Sequence, residues 1–153
     1  MLRARLLLLA ALLLAACASS SQSPAPRVPT VSDSVASRAA DNALAMVGKP
    51  YRYSGNTPAG FDCSGLVQYS YAKAGVSLPR ETQAQRQVGE PVRTNGLRRG
   101  DLLFFTQEGK MSHVAIFLGG GRFVHAPSTG GKVRTDAMEA AYWRKHFVEA
   151  RRL

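Results

Sequence analysis

Three side chains in this sequence have the chemistry for nucleophilic catalysis: Cys63, His113 and His125. A thiol attacks a carbonyl well only as thiolate, and its pKa falls at a helix N-terminus or beside an imidazolium. Asp62 stands immediately before Cys63, where a helix N-cap belongs. Leu66, Val67, Ser70, Tyr71 and Ala74 follow at helical spacing, and Gly75 takes the place of a C′ residue. Cys63 is therefore expected to open a buried helix, and its pKa to lie below the ordinary thiol value. The N–H groups at that helix start also supply donors for an oxyanion. What the thiol still needs is a base, and a third group to orient the base.

His113 begins one apolar run and His125 lies near the end of the next, with Gly119-Gly120-Gly121 between them. If the three glycines form the turn, Leu118 pairs with Arg122 and Ala115 with His125. His113 is two residues from Ala115, so the two imidazoles become diagonal neighbours on one sheet face. A two-residue turn, on the same counting, would send them to opposite faces.

These groups need a scaffold. Ser32 or Ser34 caps a helix expected to run to about Val47, with Val35, Ala39, Leu44 and Val47 as a partial apolar stripe, stopped by Gly48 and Pro50. Tyr51 to Pro58 reads as a loop. A short helix is expected from Glu81 to Val88, ended by Pro91. After Arg99-Gly100-Asp101 the pattern turns to strands: Leu102 to Phe105, Val114 to Leu118 and Arg122 to Ala126. A helix or turn near Asp136 to Tyr142 and a strand near Phe147 to Arg151 finish the chain. Helices first and an antiparallel sheet afterwards argue for an α+β domain over residues 32–153.

The preceding residues serve a different purpose. Arg3 and Arg5 precede a nine-residue uncharged apolar run, Leu6 to Leu14, and then Leu14-Ala15-Ala16-Cys17. Basic, apolar and small residues in that order read as an export signal over residues 1–16. The apolar run is far short of the ~20 residues of a spanning helix. Leu14 to Cys17 resembles the bacterial lipobox, which implies diacylglycerol on the Cys17 sulfur and a membrane partner through that lipid. Ala18 rather than Asp after Cys17 implies, in a Gram-negative cell, the outer membrane facing the periplasm. Residues 17–31 are Ser, Pro, Ala and Gln with almost no large apolar side chain, and read as a tether with a mean reach of roughly 20 Å. The chain holds two cysteines. Lipidation of Cys17 would leave Cys63 an odd thiol in an exported protein. The formal charge is +10, and losing Arg3 and Arg5 leaves +8. An export signal makes nucleic acid a poor partner and the carboxylates of murein or anionic lipid better ones.

Asp62-Cys63-Ser64-Gly65-Leu66-Val67, His113-Val114-Ala115-Ile116-Phe117-Leu118-Gly119 and Phe123-Val124-His125-Ala126 together resemble the NlpC-type murein peptidases, whose core is papain-like. Leu78-Pro79-Arg80 and Arg99-Gly100-Asp101-Leu102 also fit, and the resemblance covers about Val35 to Leu153. It implies Cys63 as nucleophile, His113 as base and His125 as the polar third member. It implies that Tyr53 lines the cleft and helps polarise the oxyanion, and that Asp62 and Ser64 shape the donor-peptide subsite, Asp62 meeting a free amine in some members. As N-cap, Asp62 has a competing structural role. The implied reaction is hydrolysis of a murein peptide bond involving meso-diaminopimelate, through an acyl-enzyme and without cofactor or metal. Two alternatives stand beside it. Cysteine and two histidines also suit zinc, although no fourth ligand has suitable local spacing. A catalytically silent or partner-dependent core that only docks on murein is the other.

Overall fold

The computed structural model describes residues 30–107 and 109–153. The export signal, Cys17 and nearly all of the tether lie outside the described residues. Val31 already belongs to the folded body: its N–H donates to the Leu153 carbonyl at 3.0 Å, and its side chain packs against the core.

The first helix, α1 (Asp33–Leu44), starts where Ser32 accepts from the Val35 N–H. It is shorter than the pattern suggests, and its packed face shares Ala39 with the expected stripe but is completed by other alanines. Ala39, Ala40 and Ala43 are buried, whereas Val47 lies beyond the helix and is 48% exposed. Small side chains let α1 approach the second helix, α2 (Cys63–Lys73), closely, and Asn42 Nδ2 donates to the Ser70 carbonyl at 3.0 Å. The intervening loop holds a two-residue hairpin, β1 (Asn56–Thr57) and β2 (Gly60–Phe61). Asp62 caps α2 as expected, its carboxylate accepting from the Gly65 N–H at 2.7 Å. The next helix, α3 (Thr82–Arg86), is only five residues long.

Pro91 does not end that helix but sits in a strand, β3 (Glu90–Val92). The remaining strands are β4 (Leu102–Gln107), β5 (Lys110–Gly119), β6 (Arg122–His125), β7 (Arg134–Ala137) and β8 (Phe147–Arg152). They form one antiparallel sheet of order β3-β8-β4-β5-β6-β7. Pro91 is tolerated because β3 is an edge strand, where a missing N–H leaves no ladder bond unmade. Of the segment expected as a helix or turn from Asp136 to Tyr142, only Asp136 and Ala137 differ, as the end of β7; a turn follows at Met138 and Glu139, and the last helix, α4 (Ala141–His146), begins at Ala141.

Alternation along the strands divides the interior in two. Leu102, Phe104, Val114, Ile116 and Val124 face α1 and α2 with Phe61, Leu66, Val67 and Tyr71. Leu103, Phe105, Ala115, Phe117 and Phe123 form a second cluster on the other sheet face, with Trp143 of α4. Tyr71 Oη donates to the Gly100 carbonyl at 2.6 Å, and buried Asp101 accepts two bonds from Arg152. The Arg99-Gly100-Asp101 stretch thus anchors helix layer and sheet to each other.

The β5–β6 hairpin is where register matters most. Ile116 pairs with Val124 and Phe117 with Phe123, the expected alignment. The turn that produces it is different. Gly119 pairs with Arg122, leaving a two-residue turn of Gly120 and Gly121, and the ladder shifts by one residue between Phe117 and Gly119. Gly120 and Gly121 have φ of +57° and +72°. Positive φ at both central residues is what a tight hairpin turn with the right twist demands. The bulge restores the alignment that a two-residue turn alone would have broken.

Candidate active site

Cys63 is half-buried at the first turn of α2, against the β5 backbone on either side of His113. Its Sγ is 3.6 Å from the Ser112 carbonyl, and the Val114 N–H donates to it. Thr82 Oγ1 lies 3.7 Å from the sulfur. The short helix α3 earns its place here. Thr82 contacts the thiol, and Gln85 Nε2 donates to the Ser64 and Pro79 carbonyls at 3.0 and 2.9 Å.

On the sheet side, His113 and His125 are fully enclosed, 1% and 0% exposed. His113 Nε2 is 2.8 Å from His125 Nδ1. His125 Nε2 is in turn 3.0 Å from Asp136 Oδ2. Trp143 stacks on the His113 ring at 5.5 Å and meets the His125 ring edge-on at 4.9 Å. Its Nε1–H donates to Asp136 Oδ2 at 2.9 Å. Arg134 reaches the same oxygen through Nε and a terminal nitrogen, at 3.2 and 3.1 Å. Asp136 and Trp143 carried no recognisable motif. No local pattern in Arg134-Thr135-Asp136-Ala137 marks Asp136; only the pairing of β7 with β6 brings it behind His125.

Burial sets the electrostatics. Desolvation lowers His113 to a pKa of about 3, with smaller contributions from His125 and the Arg134 charge. Desolvation likewise lowers His125 to about 4, against the opposing pull of Asp136. The expectation that the Cys63 pKa falls is corrected. Burial raises it, outweighing the Thr82 hydroxyl and the N–H groups of Val114 and Ser64, with the nearby Asp62 charge adding to the rise. Both imidazoles therefore rest neutral opposite an uncharged thiol.

A cleft of about 550 Å³ is lined by Cys63 and His113 together with Tyr51, Tyr53, Ser112 and Tyr142. Tyr53, 84% exposed, stands on the cleft wall. Asp62 and Ser64 do not line it. Asp62 Oδ1 accepts the Gly65 N–H, and Asp62 Oδ2 accepts from Arg80 at 2.5 Å. Arg80 also donates to Ser64 Oγ at 2.8 Å. Both carboxylate oxygens of Asp62 are thus engaged within the protein. The two rings that could share a metal with Cys63 are hydrogen-bonded to each other instead.

Known proteins share this arrangement of chain. A model of the NlpC/P60 family matches residues 48–152. The chain is 39% identical over 120 residues to a murein DD-endopeptidase/murein LD-carboxypeptidase, MepS, of Escherichia coli K12, covering 78% of this chain and 63% of that protein. It is 42% identical over 115 residues to a bifunctional muramidase/DL-endopeptidase, CwlT, of Bacillus subtilis 168, covering 72% and 34%. The chain thus spans less than two thirds of the length of either relative. Among solved structures, a Staphylococcus aureus protein described as similar to lipoprotein, NLP/P60 family, superposes with a TM-score of 0.70 at 37% identity, over 82% of this chain and 43% of that one. A thiol at the start of a helix, a buried histidine pair on the facing sheet and the span of these matches agree, and the chain belongs to the NlpC/P60 family.

Proposed function

We propose that this protein is a murein peptidase that hydrolyses stem or crosslink peptides through Cys63, with His113 as base and His125 as its orienting partner. The observation that carries the reading is that one cleft presents a helix-start thiol and a histidine held 2.8 Å from a second histidine. The relatives' activities, on DD- and DL-peptide bonds of the wall, support the substrate class. The bond proposed here is one that involves meso-diaminopimelate.

With thiol and imidazole both neutral at rest, the base works at the moment of attack. His113 takes the thiol proton as Cys63 Sγ bonds to the scissile carbonyl carbon. The oxyanion that forms faces the N–H groups at the start of α2, the Ser64 N–H among them, where the helix dipole favours negative charge. Collapse of this intermediate expels the amine, which leaves with the proton held by His113. Water then attacks the thioester, again losing its proton to His113, and the carboxylate product is released with the thiol restored. Tyr53 on the cleft wall is assigned to substrate contact. Asp62 and Ser64 are assigned to holding the helix start and Arg80.

Residues 1–31 are assigned to export and to a lipid anchor on Cys17, with the outer membrane as destination. The lipoprotein description of the S. aureus relative favours the anchor.

Digestion of purified murein with the wild type and with Cys63→Ser, read by mass spectrometry of the released muropeptides, tests the proposal. New muropeptides from the wild type alone are the expected result, and their masses identify the bond. Equal release by both proteins would overturn it.

A further inference from the structure

We infer that Asp136 is a positioning residue that sets the tautomer of both buried histidines, and so decides which nitrogen of His113 is free to take the Cys63 proton. The inference rests on the peptidase reading above and concerns its proton path.

The argument is one of donors and acceptors. A carboxylate only accepts hydrogen bonds, and a neutral imidazole has one N–H and one bare nitrogen. Asp136 Oδ2 is 3.0 Å from His125 Nε2, so that nitrogen must carry the proton. His125 Nδ1 is then bare and accepts. Its partner at 2.8 Å, His113 Nε2, must therefore donate. That leaves His113 Nδ1 bare, the only nitrogen of that ring able to receive a thiol proton. Were His125 protonated at Nδ1 instead, a bare nitrogen would face a carboxylate oxygen, and His113 would turn an N–H toward the cleft rather than a base. One carboxylate thus propagates a choice through two rings.

The register places these groups where the relay requires them. His125 pairs with Arg134 and Phe123 with Asp136 across β6 and β7, so Asp136 is a diagonal neighbour of His125 on one sheet face. The β5–β6 alignment makes His113 and His125 diagonal neighbours in the same sense. The relay therefore steps obliquely across three strands under the Trp143 ring. Asp136 is itself held charged and oriented. Arg134 and the Trp143 indole donate to the same oxygen that receives His125, which keeps the carboxylate from rotating away.

Two measurements on the full-length protein test the relay. In wild-type protein labelled with ¹⁵N, long-range ¹H–¹⁵N spectra at neutral pH should show His113 and His125 both as the Nε2–H tautomer. His146, whose Nδ1 lies 2.7 Å from the Tyr142 carbonyl, supplies an assignment contrast. Asp136→Ala should shift His125 toward Nδ1–H and lower kcat/KM on a soluble crosslinked muropeptide by about 100-fold, chiefly in kcat. That is less than the ~10⁴-fold caused by disturbing a carboxylate that orients the base directly. Asp136→Asn, which can still place an oxygen opposite His125, should recover part of the loss. An Nδ1–H tautomer for either histidine in the wild type would overturn the inference, and so would an Asp136→Ala protein with unchanged tautomers and rate. The wild-type spectrum decides even if the alanine variant does not fold. Because it is recorded without substrate, an inactive protein with the expected tautomers would fail the peptidase reading alone. An active one with Nδ1–H rings would fail the relay alone.

Discussion

The two halves of the candidate site are built on opposite principles. The thiol half is assembled at a rim, from a helix N-terminus, the Asp62 cap and Arg80, partly open to the cleft. The imidazole half is assembled in a dry interior, from two enclosed rings walled by Trp143, Phe105 and Phe123. The rim half is open to the cleft, so its geometry is set by backbone and capping contacts that survive hydration. The interior half must hold one proton arrangement, and low dielectric strengthens each of its hydrogen bonds while making any unpaired group costly. Thiol and imidazoles are therefore protected differently, and variants in the two halves should fail differently.

The largest expected effect separates chemistry from fold. Cys63→Ser should lower murein hydrolysis by at least ~10⁴-fold while leaving the thermal transition close to wild type. A large loss of stability in that variant would mean that the thiol is a core residue first.

The second prediction attacks the interior half. Trp143→Ala should destabilise the domain by about 3–4 kcal/mol through loss of packing, measured by urea unfolding. It should also let water reach both rings, so that any remaining activity shows an acid limb displaced toward the ordinary histidine value near 6.5. Unchanged stability would contradict the dry wall assigned to this residue.

Third is the pH profile of the wild type. His113 and His125 are depressed to about 3 and 4, so the neutral base form persists above those values and is lost only as pH falls through them. The acid limb of kcat/KM should therefore lie near or below pH 4, whereas a solvated histidine would place it near ~6.5. A limb near 6.5 would show the imidazoles to be wet. The same depression ties stability to pH. Between the ordinary value and the folded values the unfolded chain binds more protons, so stability should fall as pH drops from about 6.5 toward 4.

The smallest effect belongs to the rim. Asp62→Ala removes the cap of α2 and should cost about 1–2 kcal/mol, with Asp62→Asn costing less because it still caps. A denaturation midpoint unchanged in Asp62→Ala would mean that the α2 start is held by Arg80 and Gln85 without its cap.

Much of the rim half was legible beforehand. A capping Asp, the helical spacing from Leu66 to Ala74 and a terminating Gly75 are local signals, each satisfied within a turn or two of chain. The strands that carry the histidines were legible for the same reason, since alternation is read within one segment. The β5–β6 alignment was anticipated through the wrong turn, because three consecutive glycines fit either a three-residue loop or a tight turn with a bulge. The helix or turn expected from Asp136 begins only after β7, because Arg134-Thr135-Asp136-Ala137 has too little hydrophobic content to announce a strand. Pairing with β6 decided its conformation, and propensity did not. The α1 stripe held only in part: Ala39 is buried as part of it, but Ala40 and Ala43 complete the packed face and Val47 is exposed, because close approach to α2 rewards small side chains over large ones.

What a reader of the bare chain could draw from residue type and spacing is a helix that opens at Cys63, the strand and helix layers, and a register that allows His113 and His125 one sheet face. Their roles came only with the family resemblance. The folded molecule alone decided three further matters. It brought Asp136 behind His125, across a strand boundary that no local pattern announces. It set Gly65 where a Cβ would run into the Gly55 carbonyl oxygen, so this glycine answers to a loop ten residues away rather than to its own helix. It also reversed the expected ionisation of the thiol. A helix N-terminus lowers a cysteine pKa, but only the packing of α2 against β5 and Thr82 determines how much water the sulfur keeps, and here desolvation is the larger effect. Capping and periodicity are written within a few residues, whereas desolvation and close approach depend on surfaces that meet only when the chain is folded.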